Sequence, residues 1–145
     1  MTTVPGPTVG VLGGGQLGRM LGEAAPPLGV DLVVLAPTPD CPANGVAPQV
    51  VGEFDDPDAV AELAARADVL TYEIELADPD LLLDAEVPVH PAPDTLRTTG
   101  DKLVEKRAAA DAGVPVPEFR RVDDADDLAA AVDDLGEVML KARTG

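Results

Sequence analysis

A short apolar run followed at once by three glycines constrains this chain more than any other feature. Residues 9–12 predict a buried strand, and Gly13, Gly14 and Gly15 follow it directly. Apolar residues at helical spacing then begin at Leu17. A strand that turns tightly into a helix leaves the first helical N–H groups unpaired, and such a helix end attracts anions, phosphates above all. The run therefore predicts an α/β domain with a crevice suited to a phosphate-bearing ligand.

The glycine spacing is open to more than one interpretation. Gly13, Gly15 and Gly18 fit the dinucleotide fingerprint, which also requires an acid at the end of the second strand. That strand, predicted over 31–35, runs into Ala-Pro; Asp31 lies at its wrong end and Asp40 lies several residues beyond it. A dinucleotide site and glycines used only for packing both remain alternatives. Neither explains the polar Gln16 at the point where the chain turns into the helix.

Charge separates this chain from several classes of protein. It has 10 Lys and Arg against 27 Asp and Glu, a formal net charge of −17. Such a charge argues against a nucleic-acid partner or an anionic membrane surface, and it suits a halophilic source whose salt-rich cytosol screens the repulsion. One cysteine, Cys41, leaves no internal disulfide. We expect no signal peptide and no membrane span, and hence a cytoplasmic protein.

The order of predicted elements indicates two parts. In the first part, strands over 9–12, 31–35, 50–51, 69–71 and 87–89 alternate with helices over 16–25, 57–67 and 79–83. This order predicts a parallel sheet with ligands at the carboxyl ends of its strands. The second part predicts a helix over 99–112, a strand over 119–122, a helix over 124–135 and a strand over 138–141. We therefore expect a Rossmann-like domain over 1–97 and a second domain that begins at 98.

The positions of a few polar residues in the predicted elements make them candidates for binding a ligand. Glu73 and Glu75 follow a predicted strand two residues apart, so in an extended segment both point to one face and accept hydrogen bonds from an amine or a hydroxyl. A solvated acidic loop is the alternative. Lys141 ends an apolar run, where an ammonium group can neutralise phosphate charge. Arg19 suits either a phosphate contact or a helix surface, and His90 is better explained as a structural histidine.

Several segments, in this order, resemble one enzyme family. They are residues 11–21 with the run Gly-Gly-Gly-Gln-Leu-Gly-Arg-Met-Leu, then 27–29, 71–75, 101–106, 113–115 and 140–145. Together they resemble the N-terminal part of the 5-(carboxyamino)imidazole ribonucleotide synthases, the ATP-grasp carboxylases of purine biosynthesis. The resemblance covers essentially the whole chain. It implies a Rossmann-like, pre-ATP-grasp domain followed by the start of an ATP-grasp domain.

The resemblance also implies a reaction and a set of site residues. The family converts aminoimidazole ribonucleotide, bicarbonate and ATP, with magnesium, into the carboxyamino product, ADP and phosphate, and we expect the full-length enzyme to be a homodimer. Gln16, Leu17 and Glu73 are expected to bind the ribonucleotide, and Lys102 and Lys141 to bind ATP. Lys102 stands where the family usually has arginine. Lysine keeps the positive charge of arginine but lacks the planar fork that forms two parallel hydrogen bonds. The expected phosphate loop consists of four glycines: Gly13, Gly14, Gly15 and Gly18.

The resemblance further implies that parts of the enzyme are absent from these residues. The family continues past Gly145 with a glycine-rich loop over the ATP phosphates and, later, the acidic magnesium ligands. We therefore expect a fragment that contains no catalytic residue or metal ligand and is inactive alone. The related formate-dependent glycinamide ribonucleotide transformylases share the architecture but usually carry glutamate in place of Gln16, so Gln16 favours the carboxylase.

Overall fold

The computed structural model describes residues 6–144, and its centre is a four-stranded parallel sheet. The strands are β1 (Thr8–Leu12), β2 (Asp31–Ala36), β3 (Gln49–Val51) and β4 (Val69–Tyr72), in the order β3-β2-β1-β4. At the end of β1, Leu12 lies between Leu35 of β2 and Tyr72 of β4. The predicted α/β fold with a parallel sheet is therefore confirmed.

Local sequence signals explain where the helices of this sheet domain begin and end. They are α1 (Gln16–Ala24), α2 (Pro57–Ala65), α3 (Pro79–Leu83) and α4 (Pro93–Thr99). Asp56 and Asp78 cap α2 and α3 by accepting an N–H bond from the residue two positions on, and a proline fills the first position of each helix. A 3-10 turn over Pro26–Leu28 ends at Gly29, whose φ of 68° is left-handed. The predicted stop at Gly29 is confirmed.

The sheet is covered on both faces. Alternate residues of the strands point to opposite sides, so Leu12 and Leu35 enter a core with Leu63 of α2, whereas Val11 and Val34 enter a second core. The second core is completed by residues of the loop that follows β2, among them Cys41. Burial on both faces is the reason that these strands are apolar throughout rather than alternating.

Helix α1 packs through its glycines and not through its large apolar residues. Gly18 and Gly22 are buried, whereas Leu17 and Met20 are each 55% exposed. A Cβ atom added at Gly18 would lie 2.6 Å from the carbonyl oxygen of Gly13, so only glycine allows this approach of the helix to the end of β1. The apolar spacing correctly indicated the helix, but the face that packs is the glycine face.

The chain divides into two compact units, Met1–Arg97 and Thr98–Gly145. The second unit contains α5 (Lys102–Asp111) and α6 (Ala125–Leu135). Asp101 caps α5 and Asp124 caps α6, each by accepting two backbone N–H bonds. Residues 1–5 of the first predicted domain, and Gly145 at the end of the last motif, lie outside the described residues.

Several predicted elements of the chain are wrong. The helix predicted over 99–112 begins at Lys102, because Asp101 caps a new helix after α4, which was not predicted. Residues 87–89 form only a single bridge, between Val89 and Leu70. Residues 119–122 and 138–141 are not strands in the described structure. A strand needs a neighbouring backbone with which to form a ladder, and an apolar run alone does not provide one.

Replacing Gly18 with alanine tests the close approach of α1. Alanine favours a helix over glycine by about 1 kcal/mol, but its Cβ would meet the Gly13 carbonyl oxygen at 2.6 Å. We expect Gly18→Ala to lower the free energy of unfolding by about 1–2 kcal/mol, measured by urea denaturation. Gly45→Ala, where an added Cβ meets nothing within 4 Å, is the control. A Gly18→Ala protein more stable than the wild type would contradict the packing described.

Candidate functional site

The first candidate site lies where β1 and β4 end side by side. The chain leaves β1 toward β2 on one side of the sheet and returns to β4 on the other, so a crevice opens between the two strand ends. The backbone N–H of Glu73, the residue after β4, donates to the carbonyl of Leu12 at 3.1 Å. The residue after β1 is Gly13, whose N–H donates to Leu35 at 3.0 Å. Parallel pairing thus brings the glycine loop and Glu73 to the same point.

The carboxylate of Glu73 lies against the glycine loop. The backbone N–H of Gly15 donates a hydrogen bond to it. A Cβ atom added at Gly13 would lie 2.2 Å from Glu73 Oε1, which leaves no space for a side chain. The φ of Gly13 is +127°, a conformation that also favours glycine. At Gly15 an added Cβ would lie 3.7 Å from the same oxygen, an ordinary contact. The loop therefore already holds an anionic group of the protein at the N-terminus of α1.

The environment of Glu73 makes its charged form less favourable than it is in water. Burial raises the pKa of the Glu73 carboxyl above its usual value, the Gly15 N–H bond partly opposes that rise, and the nearby charge of Glu75 adds to it. Glu73 is half-buried, whereas Glu75 is exposed. The two glutamates predicted to share one face thus differ in structure, because Glu73 contacts the loop, whereas Glu75 is exposed and acts on Glu73 through its charge.

The other residues predicted for the ribonucleotide site follow the glycine loop directly. Gln16 and Leu17 form the exposed first turn of α1 directly after Gly15. Of the four loop glycines, three are buried by packing, namely Gly13, Gly14 and Gly18. Because Gly15 is partly exposed and its N–H is donated to Glu73, a phosphate placed on it would meet a like charge. The phosphate role of the loop stays a prediction, and an uncharged donor suits this point better.

Four other residues considered from the sequence lie in structural contexts. Asp31 begins β2, at the edge of the sheet opposite to the crevice, and Asp40 accepts a bond from the Asn44 side chain at 3.0 Å. Arg19 forms an ion pair with Glu23, four residues on, at 2.8 Å. His90 is exposed, and its backbone N–H bonds to the carbonyl of Leu70. Neither Asp31 nor Asp40 therefore supplies the acid that would hold a dinucleotide ribose at the end of β2.

The second candidate site is a cleft within the second unit. Its volume is about 670 Å³, and Phe119, Leu128 and Ala131 are among its apolar walls. It is lined by six of the ten basic residues of the chain, namely Lys102, Lys106, Arg120, Arg121, Lys141 and Arg143. Three carboxylates also line it: Glu105, Glu118 and Glu137. In a chain of net charge −17, more than half of the basic residues therefore line this one cleft of the second unit.

The structure brings Lys102 and Lys141 to this same cleft although they are far apart in sequence. Lys102 is the first residue of α5, and Lys141 is exposed in the segment that follows α6. Lys106, on the next turn of α5, lies over the ring of Phe119 at 5.9 Å from its centre. The cleft thus combines ammonium groups with apolar walls, a composition suited to a nucleotide.

An ion pair that the sequence did not reveal joins the start of α5 to the segment that follows α6. Arg143 Nε donates to Asp101 Oδ1 at 3.1 Å, and Arg143 Nη2 donates to the other carboxylate oxygen. Asp101 was predicted inside a helix over 99–112 and not as its cap, and its pairing with a residue 42 positions away has no local signal. Within residues 6–144 no three His, Cys, Asp or Glu side chains gather as a metal site, and none of the helices has the length and apolar character to cross a bilayer.

Replacing Glu73 with glutamine tests the electrostatics of the crevice. Since the folded state raises the pKa of Glu73, the ionised carboxylate opposes folding above that pKa, and this cost disappears as the pH falls through it. We expect Glu73→Gln to raise the melting temperature at pH 8, with a smaller difference at pH 4. Glu53→Gln, at an exposed position of the same unit, is the control. A melting temperature lowered at pH 8 would contradict the assigned environment.

Several named proteins are similar to this chain over about nine-tenths of its length. An N5-carboxyaminoimidazole ribonucleotide synthase of Brucella melitensis is 43% identical over 136 residues, which are 91% of this chain and 37% of the relative. The structure of an N5-carboxyaminoimidazole synthase from Aspergillus clavatus, in complex with ADP and 5-aminoimidazole ribonucleotide, superimposes with a TM-score of 0.80 at 35% identity, over 92% of this chain and 37% of that one. A glycinamide-RNase-transformylase T from Mycobacterium tuberculosis reaches 0.74 at 26% identity, over 90% and 39%.

These similarities have a definite extent along the chain. The chain spans a little over a third of the curated relative from Brucella melitensis. Residues 7–99 match the family model of the ribonucleotide synthetase preATP-grasp domain, and they contain the whole sheet and the glycine loop with Glu73. With more than half of its residues matched, the chain belongs to the ribonucleotide synthetase preATP-grasp domain family.

Proposed function

We propose that this chain is the N-terminal part of an ATP-dependent ligase that carboxylates aminoimidazole ribonucleotide with bicarbonate in purine biosynthesis. The observation that carries the proposal is the carboxylate of Glu73, held on the glycine loop at the carboxyl ends of β1 and β4. The name of the relative from Brucella melitensis and the ligands of the Aspergillus clavatus structure support the choice of substrates.

The ribonucleotide would bind in the crevice of the first unit. Glu73 would accept a hydrogen bond from the amine or a ribose hydroxyl of the ligand, and burial would strengthen that bond relative to one in water. The amide of Gln16, exposed next to Gly15, offers both donors and an acceptor, and Leu17 adds an apolar surface. Gly13, Gly14 and Gly18 would allow the backbone to approach, and a phosphate at Gly15 would have to displace Glu73.

ATP would bind in the cleft of the second unit, as the beginning of an ATP-grasp domain over 98–145. Lys102 and Lys141 supply positive charge for its phosphates, and the apolar walls suit its base. Lysine acts as a point charge, so it holds a phosphate without the two parallel bonds that an arginine would form. Within residues 6–144, no three His, Cys, Asp or Glu side chains gather as a ligand set for magnesium.

The proposal has four further parts. They include a cytoplasmic location, and a homodimer of the full-length enzyme as the resemblance to the family implies. Adaptation to high salt rests on the net charge of −17, because salt screens the repulsion within so acidic a protein. The proposal that these residues do not catalyse the reaction alone rests on the same resemblance.

Substitutions in the crevice test the ribonucleotide site. The fold accommodates Gly15→Ala, because the added Cβ meets only Glu73 Oε1, at 3.7 Å, yet the methyl group would keep a ligand away from the loop. We expect Gly15→Ala and Glu73→Ala each to weaken binding of 5-aminoimidazole ribonucleotide to this chain, Glu73→Ala by about 1.5–3 kcal/mol. Isothermal titration calorimetry measures both, with Gly45→Ala as the matched control. Unchanged affinity in both variants would contradict the site.

Substitution of Lys141 tests the nucleotide cleft. Because the cleft is open to water, we expect this chain to bind ATP with a Kd of about 1 mM, equivalent to about 4 kcal/mol, and to release no phosphate from it. NMR titration should show a loss of about two- to fivefold in affinity for Lys141→Ala. Lys106→Ala removes the same charge from the same cleft and should have a smaller effect. Equal losses would indicate general attraction by charge rather than a nucleotide site.

A further inference from the structure

The carboxylate of Asp101 holds together two segments of the second unit that are distant in sequence. It accepts the backbone N–H groups of Leu103 at 2.9 Å and Val104 at 3.2 Å, which fixes the first turn of α5. It also accepts both arms of the Arg143 guanidinium, which fixes the segment after α6. The bond from Arg143 is the largest cause that lowers the pKa of Asp101 to about 2, so the carboxylate stays ionised at any ordinary pH.

The backbone strengthens the same connection. The N–H of Lys102 donates to the carbonyl oxygen of Arg143 at 2.9 Å, so Arg143 is bound to the start of α5 through its main chain as well as its side chain. We call these contacts of Asp101, Lys102 and Arg143 the α5 clamp. Residues 138–142 belong to no helix or strand of the described structure. Their position therefore depends on contacts such as the α5 clamp rather than on a sheet.

The two lysines of the proposed nucleotide cleft lie next to the α5 clamp in sequence. Lys102 follows Asp101 directly, and Lys141 precedes Arg143 by two residues. We propose that Asp101 and Arg143 are positioning residues, which hold Lys102 and Lys141 in one cleft so that both ammonium groups meet the same nucleotide. This inference rests on the proposed ATP site and adds the residues that arrange it.

The other ion pairs of the cleft do not have this arrangement. Arg121 pairs with Asp123, two residues away, at 2.8 Å, which is a local contact. Arg120 pairs with Asp134 of α6 and its Nη1 bonds to the carbonyl of Phe119. Neither pair includes a neighbour of Lys102 or Lys141. Arg143 also needs its planar fork to reach both oxygens of Asp101, which a lysine cannot do.

Two substitutions loosen the α5 clamp with little other change. Asp101→Asn keeps a side-chain oxygen to cap α5 but loses the charge that binds Arg143. Arg143→Lys keeps the charge but loses the fork. Asp124→Asn is the matched control for the first variant, because Asp124 caps α6 in the same way. Arg107→Lys, at an exposed position of α5 outside the lining of the cleft, is the control for the second. ATP alone is titrated into the isotope-labelled 145-residue chain, and NMR shifts report the Kd.

We expect Asp101→Asn and Arg143→Lys each to weaken ATP binding about as much as Lys141→Ala does, while both controls bind as the wild type. Combined with Lys141→Ala, each should weaken binding by clearly less than the sum of the two separate losses, because part of its effect acts through that lysine; such non-additivity is not expected of an independent structural defect. The amide of Lys102 should also exchange its hydrogen faster in both variants.

Other outcomes would overturn the positioning role, and they are distinguishable. If ATP shifts the signals of Lys102 and Lys141 in the wild type but the clamp variants bind equally well, or weaken binding additively with Lys141→Ala, the cleft stands and the positioning role fails. If ATP shifts neither lysine in the wild type, both the positioning role and the proposed ATP site fail. If Arg143→Lys unfolds the second unit, the pair is a folding requirement rather than a positioning device.

Discussion

The close approach of α1 to the end of β1 is the constraint on which the first unit depends. Gly18 lets the helix backbone come within reach of the Gly13 carbonyl, and this contact places the first turn of α1 over the sheet edge. Parallel pairing of Leu12 with Tyr72 then brings Glu73 to the same point. A larger residue at Gly18 would move the helix end, and with it the Gly15 N–H that Glu73 accepts. The packing and the candidate site therefore share one cause.

The candidate site of the first unit contains a partly buried acid, whereas that of the second unit is lined by basic residues. In the first unit, an acid is partly desolvated against a helix N-terminus, where burial raises the pKa of Glu73. Groups with perturbed pKa values in a crevice are typical of functional sites, because folding alone has no need of them. In the second unit, a cleft collects most of the lysines and arginines of a very acidic chain. In each unit, the candidate site thus coincides with a local concentration or desolvation of charge.

The sequence predicted most of the first unit because its signals are local. A strand, three glycines and a helix at 8–24, and prolines after the capping residues Asp56 and Asp78, each specify their own geometry over a few residues. The failures lie where structure depends on distant partners. The segments 119–122 and 138–141 have the apolar residues of strands, but no neighbouring backbone in the described chain makes a ladder with them.

The candidate site shows the same division between local and distant signals. Glu73 could be proposed from its place after a strand, but its contact with Gly15 depends on how two strands pair. Lys102 and Lys141 could be proposed from the resemblance, whereas the bond between Asp101 and Arg143 spans 42 residues and follows no periodic pattern. Packing by glycine, which the sequence left open as one alternative, holds for Gly18. The burial of Gly22 escaped prediction, since the apolar spacing of α1 pointed to other residues.

A crystal structure of this chain with 5-aminoimidazole ribonucleotide tests the central claim most directly. We expect the ligand at the carboxyl ends of β1 and β4, with an amine or ribose hydroxyl within hydrogen-bonding distance of the Glu73 carboxylate and with Gly15 in contact with it. A ligand bound elsewhere, with the Glu73 carboxylate still on the Gly15 N–H and the crevice empty, would contradict the claim that the glycine loop and Glu73 form the substrate site.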